Sequence, residues 1–213
     1  VPIVWPCLVD VDAYAALGRR IEPPRPACPR CAGPTHRWSG YLRHLRHDVD
    51  RLIWIARVRC PRCRVTHALL PSFVLPGRWD AVAAVGRAVE LAASGLGHRP
   101  IAGMMGRPDS TVRGWLRRVR SVAASLTTTL LARAVALGWT GWELPVAPLP
   151  RLVAAVHALA GRWPGTVAAE AWPIAVLVTG GRLLPTNTTT PLERAHGSGA
   201  MAGPSQQEVS DGP

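Results

Sequence analysis

The sequence predicts a mainly α-helical protein with a small β zinc ribbon, and three observations carry that expectation. The tetrapeptide Cys-Pro-Arg-Cys occurs twice, at 28–31 and 60–63, and takes four of the five cysteines in the chain. The stretch between the copies is rich in aromatic and β-branched residues, as strands are. After residue 80, apolar residues recur at spacings of three and four, as on one face of a helix. In order along the chain these give a four-cysteine zinc ribbon, a helix-turn-helix and a C-terminal helical module.

Paired cysteines can be disulfides, a redox couple or metal ligands. The N-terminal VPIVWPCLVDVD lacks a basic segment followed by an apolar one, so it does not read as an export signal. The expected compartment is then the reducing cytoplasm, where disulfides are disfavoured. A thioredoxin-like couple needs a βαβ setting, and neither copy has one. Zinc fits best. Each C-x-x-C forms a tight turn with two thiolates, and two turns complete a tetrahedron. The expected ligands are Cys28, Cys31, Cys60 and Cys63, holding one structural Zn²⁺. The 28 residues between the pairs exceed the gap of a compact ribbon, and a hairpin explains the excess. Its arms are expected at Thr35–Leu42 and Leu52–Arg59, with RHLRHDVDR as a charged tip. His36, His44, His47 and His67 read as surface residues or as groups behind the ligands, and Cys7 as a small buried hydrophobe.

Asp80 is the expected N-cap of a helix carrying Val82, Val85, Val89 and Ala92, ended by Gly95 and Gly97. A short helix follows over Ile101–Met105, then a turn at Gly106, then a helix starting near Ser110. On that last helix Val112, Trp115, Leu116 and Val119 make one apolar face. Ser110, Arg113, Arg117 and Arg120 lie opposite, with Thr111 beside Ser110 and Arg118 at the edge. Ala102, Gly106 and Val112 have helix-turn-helix spacing, and an Arg face there suits the major groove of double-stranded DNA. Arg43 and Arg46, placed on the hairpin tip, are expected to meet phosphates.

Charge points the same way. All 25 cationic side chains are Arg, forks suited to phosphate and to guanine edges. Residues 1–80 hold 13 Arg against 6 acids and residues 81–120 hold 7 against 2, whereas residues 121–213 hold 5 of each. A polyanionic partner is therefore expected on the first 120 residues.

The order of metal turn, hairpin, RVRCPRCRVTHALLPSFVLP and helix-turn-helix resembles the N-terminal part of several bacterial transposases. More closely, nearly the whole chain resembles an uncharacterised bacterial family of zinc-ribbon, helix-turn-helix proteins often encoded beside mobile elements. VWPC near the start, both metal turns, ALLPSFVLP and AVLVTGG at 175–181 carry that resemblance. It implies DNA binding without assigning a reaction. The tail from Thr186 to Pro213 departs from the pattern.

Helices are expected at Ser121–Leu137, Leu149–Leu159 and Val167–Val178, with Trp139, Trp142, Trp163 and Trp172 as core or interface anchors. They read as a packed bundle or a homodimer surface. A metal-dependent transposase domain needs three acids on an α/β scaffold. Residues 121–213 offer only Glu143, Glu170, Glu193, Glu208 and Asp211, without strand alternation around the first two, so no enzyme is expected. No apolar run is long enough to cross a bilayer, so no membrane partner is expected. The expected organisation is a zinc ribbon at 1–79, a helix-turn-helix at 80–120, a helical module at 121–184 and a disordered tail at 185–213. The expected function is non-catalytic, sequence-specific DNA binding by a cytoplasmic, nucleoid-associated protein. It would be a transcriptional regulator or a factor accessory to transposition. The rival is a scaffold that binds protein or RNA.

Overall fold

The computed structural model describes residues 2–141, 143–164 and 171–184. Trp142, Glu170, the first residues of the helix expected at Val167–Val178, and the tail from 185 lie outside them. Among the described residues the architecture is mixed α/β, not mainly α. Strand β1 (Ile3–Trp5) leads into helix α1 (Val11–Leu17), and then come β2 (His36–Arg46), β3 (Asp50–Arg59) and β4 (Thr66–Pro71). Helices α2 (Val82–Ala93), α3 (His98–Met105), α4 (Asp109–Ala136), α5 (Pro148–Ala160) and α6 (Ala171–Val178) follow. The strands form one sheet in the order β1-β4-β3-β2, with β1 parallel to β4 and the other pairs antiparallel.

The hairpin is longer than its sequence suggested. Pairing continues to Arg46 opposite Asp50, so the turn is only His47 to Val49. Alternation explains the depth: Leu45, Ile53 and Ile55 point to one side and are fully buried. They pack with Tyr14 of α1, Phe73 and Val74 in a small core under the sheet. Tyr14 also donates its hydroxyl to the Trp54 carbonyl at 2.9 Å, pinning α1 to β3. The second core is helical and runs from Leu75 to Leu184, drawing on α2 through α6.

Three expectations are corrected by this packing. Asp80 does not cap α2. The cap is Ala81, which offers no side-chain bond, and Asp80 instead accepts from Arg107 Nε at 2.8 Å. A cap contributes about 1 kcal/mol, whereas a buried carboxylate without a cation costs more, so the ion pair wins. The boundary placed at 120/121 falls inside α4, an unbroken helix of 28 residues, and Val112 and Leu130 belong to one core. Likewise the boundary at 79/80 is bridged: Arg46 of β2 accepts from the Ala81 N–H at 2.8 Å and donates to Trp79 O at 2.6 Å.

The apolar faces of α5 and α6, read as a packed bundle or a homodimer surface, pack within the chain among the described residues. Leu152, Val156, Leu159, Ile174 and Val176 all sit in the helical core. Between residues 121 and 184 the exposed large apolar side chains among the described residues are Val135 and Val146. Trp172 is buried, with its indole against Gly86 of α2 and its Nε1 donating to Glu90 at 2.8 Å. A Cβ at position 86 would lie 2.2 Å from the indole ring. Glycine inside a helix normally costs about 1 kcal/mol relative to alanine, so its presence here reflects the close approach. Gly86→Ala is expected to destabilise by about 1–3 kcal/mol, against helix propensity. Urea unfolding measures it, and a stabilised variant would contradict the α2–α6 contact.

Candidate metal centre and nucleic-acid interface

The two Cys-Pro-Arg-Cys turns are conformational copies. In the first, the Cys28 N–H donates to Gly33 O at 2.8 Å; in the second, the Cys60 N–H donates to Val65 O at 3.0 Å. The residue after each second cysteine is left-handed, Ala32 at φ 55° and Arg64 at φ 59°. Non-glycine residues adopt this region at a cost, so its repetition marks a geometry that the turn demands. Each turn thereby aims two thiols at the same point.

All four sulfurs lie within 4.8 Å of one another, and the cluster could hold a metal ion. Cys28 Sγ is 3.6 Å from Cys63 Sγ, and Cys31 Sγ is 3.5 Å from Cys60 Sγ. A tetrahedron of thiolates about 2.3 Å from a central ion has edges of about 3.8 Å, so the set fits such an ion with little adjustment. Electrostatics divide the thiols: against the Gly33 N–H, burial and the neighbouring sulfurs of Cys60, Cys63 and Cys28 push Cys31 up to about 11, while Cys28 and Cys60 move the other way. Burial pushes the Cys28 thiol up, but donors at Arg30, His67, Cys31 and Cys63 outweigh it and bring it to about 7. The Cys63 N–H, aided by other donors, brings Cys60 to about 7 against the effect of burial.

His67 is fully buried, with Nε2 3.3 Å from Cys28 Sγ. It stands behind a ligand rather than among the ligands. His36 and His44 are exposed, and neither they nor His47 and His67 belong to the set of four clustered ligand atoms. Cys7 is buried apart from it, with its thiol directed to Val9 O.

The α3–α4 region has the expected turn. Gly106 is left-handed at φ 59°, and its N–H and that of Arg107 close α3. Ile101, Ala102, Val112, Trp115, Leu116 and Val119 are buried between α2, α3 and α4. Ser110, Arg113, Arg117 and Arg120 are exposed on the opposite side of α4. Thr111 and Arg118 are half-buried, and Arg118 Nη1 donates to Gly114 O at 3.3 Å. The Arg118 charge also reaches Arg78, which burial in the first place and this neighbour in the second hold below the ordinary arginine value. Two cations thus crowd the flank of the face.

Gly114 is the residue the sequence reading passed over. With Ser110, Arg113 and Arg117 it lines a shallow recess of about 180 Å³ on the first turns of α4. A Cβ at this position would lie 3.2 Å from Arg118 Nη1, so the absence of a side chain leaves room for the Arg118 guanidinium against the helix backbone. A glycine inside a helical pattern, beside the Arg face, was the available signal.

The hairpin arginines do not occupy a tip. Arg43 is inside β2, and its guanidinium donates to Leu75 O at 2.8 Å and to Arg78 O. Burial lowers its pKa. It ties the sheet to the 75–78 segment and does not present a free cation. Arg46 ends β2, with its guanidinium 5.1 Å from the ring centre of Trp79. Trp79 is 58% exposed, so this pair remains at the surface.

No curated protein and no solved structure matches the chain. None of the comparisons links it to a transposase. Residues 28–115 match a family described as a domain of unknown function (DUF6431). The match runs from the first metal-turn cysteine to Trp115 on α4, so the sulfur cluster and the start of the Arg face lie within one stretch similar to that family.

Proposed function

We propose that the chain is a non-catalytic, zinc-stabilised protein that binds double-stranded DNA through the N-terminal half of α4. One observation carries the reading: an exposed Ser110–Arg113–Arg117–Arg120 face on the helix that follows the left-handed Gly106 turn. A helix presented this way fits the major groove, where Arg reads guanine through its O6 and N7. Zn²⁺ is the ion favoured by four thiolates in tetrahedral reach. The charge excess of the first 120 residues supports a polyanion as the partner. The resemblance to proteins encoded beside mobile elements supports a regulatory role or one accessory to transposition, in the cytoplasm at the nucleoid.

The test is a randomised-site selection followed by affinity measurement at two salt concentrations. Arg113→Ala is expected to cost about 1–3 kcal/mol on the selected site and to relax preference at one base position. Arg43→Ala, whose side chain is tied to carbonyl groups, should leave the salt slope unchanged. If Arg113→Ala leaves both motif and affinity intact, α4 is not the reader and a scaffold role takes its place.

A further inference from the structure

We propose that the outer side of the ribbon hairpin is a second nucleic-acid contact, one that takes unpaired nucleotides of a single strand. A slot of about 250 Å³ opens there between the hairpin and the segment that follows α1. Its floor is apolar and closed, formed by the buried Ile21, Val58 and Leu69. Its walls carry two indoles, Trp38 and Trp54, and its rim carries Arg19, Arg25 and Arg37.

The two indoles are held differently. Trp54 lies against Gly40, where a Cβ would sit 2.2 Å from the ring, and Arg19 covers it with its guanidinium 4.7 Å from the centroid. It is fixed. Trp38 is 53% exposed, an unusual situation for an indole on a strand. Arg59 stands 4.5 Å from its ring centre but does not line the slot, whereas Trp38 does. The ring is thus held by a cation outside the slot and presents indole surface within it.

A flat apolar group beside a bank of cations matches a nucleobase with its phosphate. Stacking on an aromatic side chain accepts any base, because every base has a π face, and nearby arginines follow the backbone. A paired base cannot use such a platform, since its faces are covered within the duplex. Among the described residues no acid lines the slot, and Glu22 beside it pairs with Arg37 at 3.3 Å where both are largely exposed. That pair is screened by water, and a phosphate can replace the carboxylate. The charge of the rim therefore selects an anionic strand.

This inference does not depend on the α4 reading, and one experiment separates the two. The full chain with its metal is titrated with labelled oligothymidylate and, separately, with a blunt duplex. Trp38→Ala is expected to weaken oligothymidylate binding about tenfold or more and to leave the duplex unaffected. Trp38→Phe should restore most of the loss, and tryptophan emission should be quenched on binding in wild type but less in Trp38→Ala. Arg113→Ala should show the opposite pattern, weakening duplex binding alone. Because Trp38 is exposed, unchanged metal content checks that the ribbon remains folded. Unchanged oligothymidylate affinity in Trp38→Ala, or an equal loss on both probes, would overturn the proposal. So would equally effective competition by polyglutamate, which would give the slot to an acidic protein segment.

Discussion

Cys60→Ser is expected to release the metal and unfold the ribbon in one step. Cys60 is fully buried and its sulfur lies 3.5 Å from that of Cys31, so its loss removes one vertex of the cluster and separates the two turns. A structural Zn²⁺ held by such a cluster would contribute about 10–16 kcal/mol of apparent binding energy near neutral pH, comparable with the whole stability of a domain. The helical core from Leu75 to Leu184 is a separate cluster, so helical circular dichroism should persist while the β signal falls. Metal content by mass spectrometry and far-ultraviolet dichroism measure both. Full metal retention would remove the site. Acid should act in the same direction. Cys31 stands at about 11 and Cys28 and Cys60 at about 7, so binding already displaces the Cys31 proton at neutral pH and must displace two more below about 7, and affinity should fall increasingly steeply as pH falls.

Arg107→Ala should cost about 3–5 kcal/mol, because it leaves the buried Asp80 carboxylate without its cation. Arg107 lies in the turn between α3 and α4, and it also reaches His47 O on the hairpin at 3.5 Å. Its removal therefore loosens the helices from the sheet as well. Urea unfolding of Arg107→Ala, Asp80→Ala and the double variant forms a cycle. The double variant should recover part of the loss of Arg107→Ala, since no buried charge is left. Additive losses would mean that the two groups are not coupled.

What was legible in the sequence was what depends on residue type at short range. Four thiols at matched spacing specify a metal cluster whatever lies between them, and Gly106 marks a left-handed turn because few other residues adopt one readily. What was not legible depends on partners distant in the chain. Strand β1 has three residues and no alternation, and only its pairing with β4, with Ile3 opposite Leu69, makes it a strand. Strand β4 likewise takes its place from pairing with β1 on one side and β3 on the other. Arg43 looked like a free cation amid charged neighbours, but its acceptors at Leu75 and Arg78 lie more than thirty residues away. Asp80 read as a cap because capping is local, while Arg107 is not. The charged run that suggested a wide hairpin tip hid Leu45, whose burial carries β2 onward to Arg46.

Helix α4 joins the Arg face at one end to the packing against α5 at the other without a break. A helix of 28 residues is about 42 Å long and stiff over that distance, so it behaves as a lever. A tilt of roughly 10° about its C-terminal seat would swing its N-terminal end by about 7 Å, given that length. The spacing of successive base pairs is about 3.4 Å, so the swing corresponds to roughly two steps along a duplex. Val112, Trp115 and Val119 at one end and Leu126, Leu130 and Ala134 at the other sit in the same helical core, so packing along the whole rod sets the angle at which Arg113 and Arg117 are presented. A small change at the far end of the rod would be felt at its tip as a change of register.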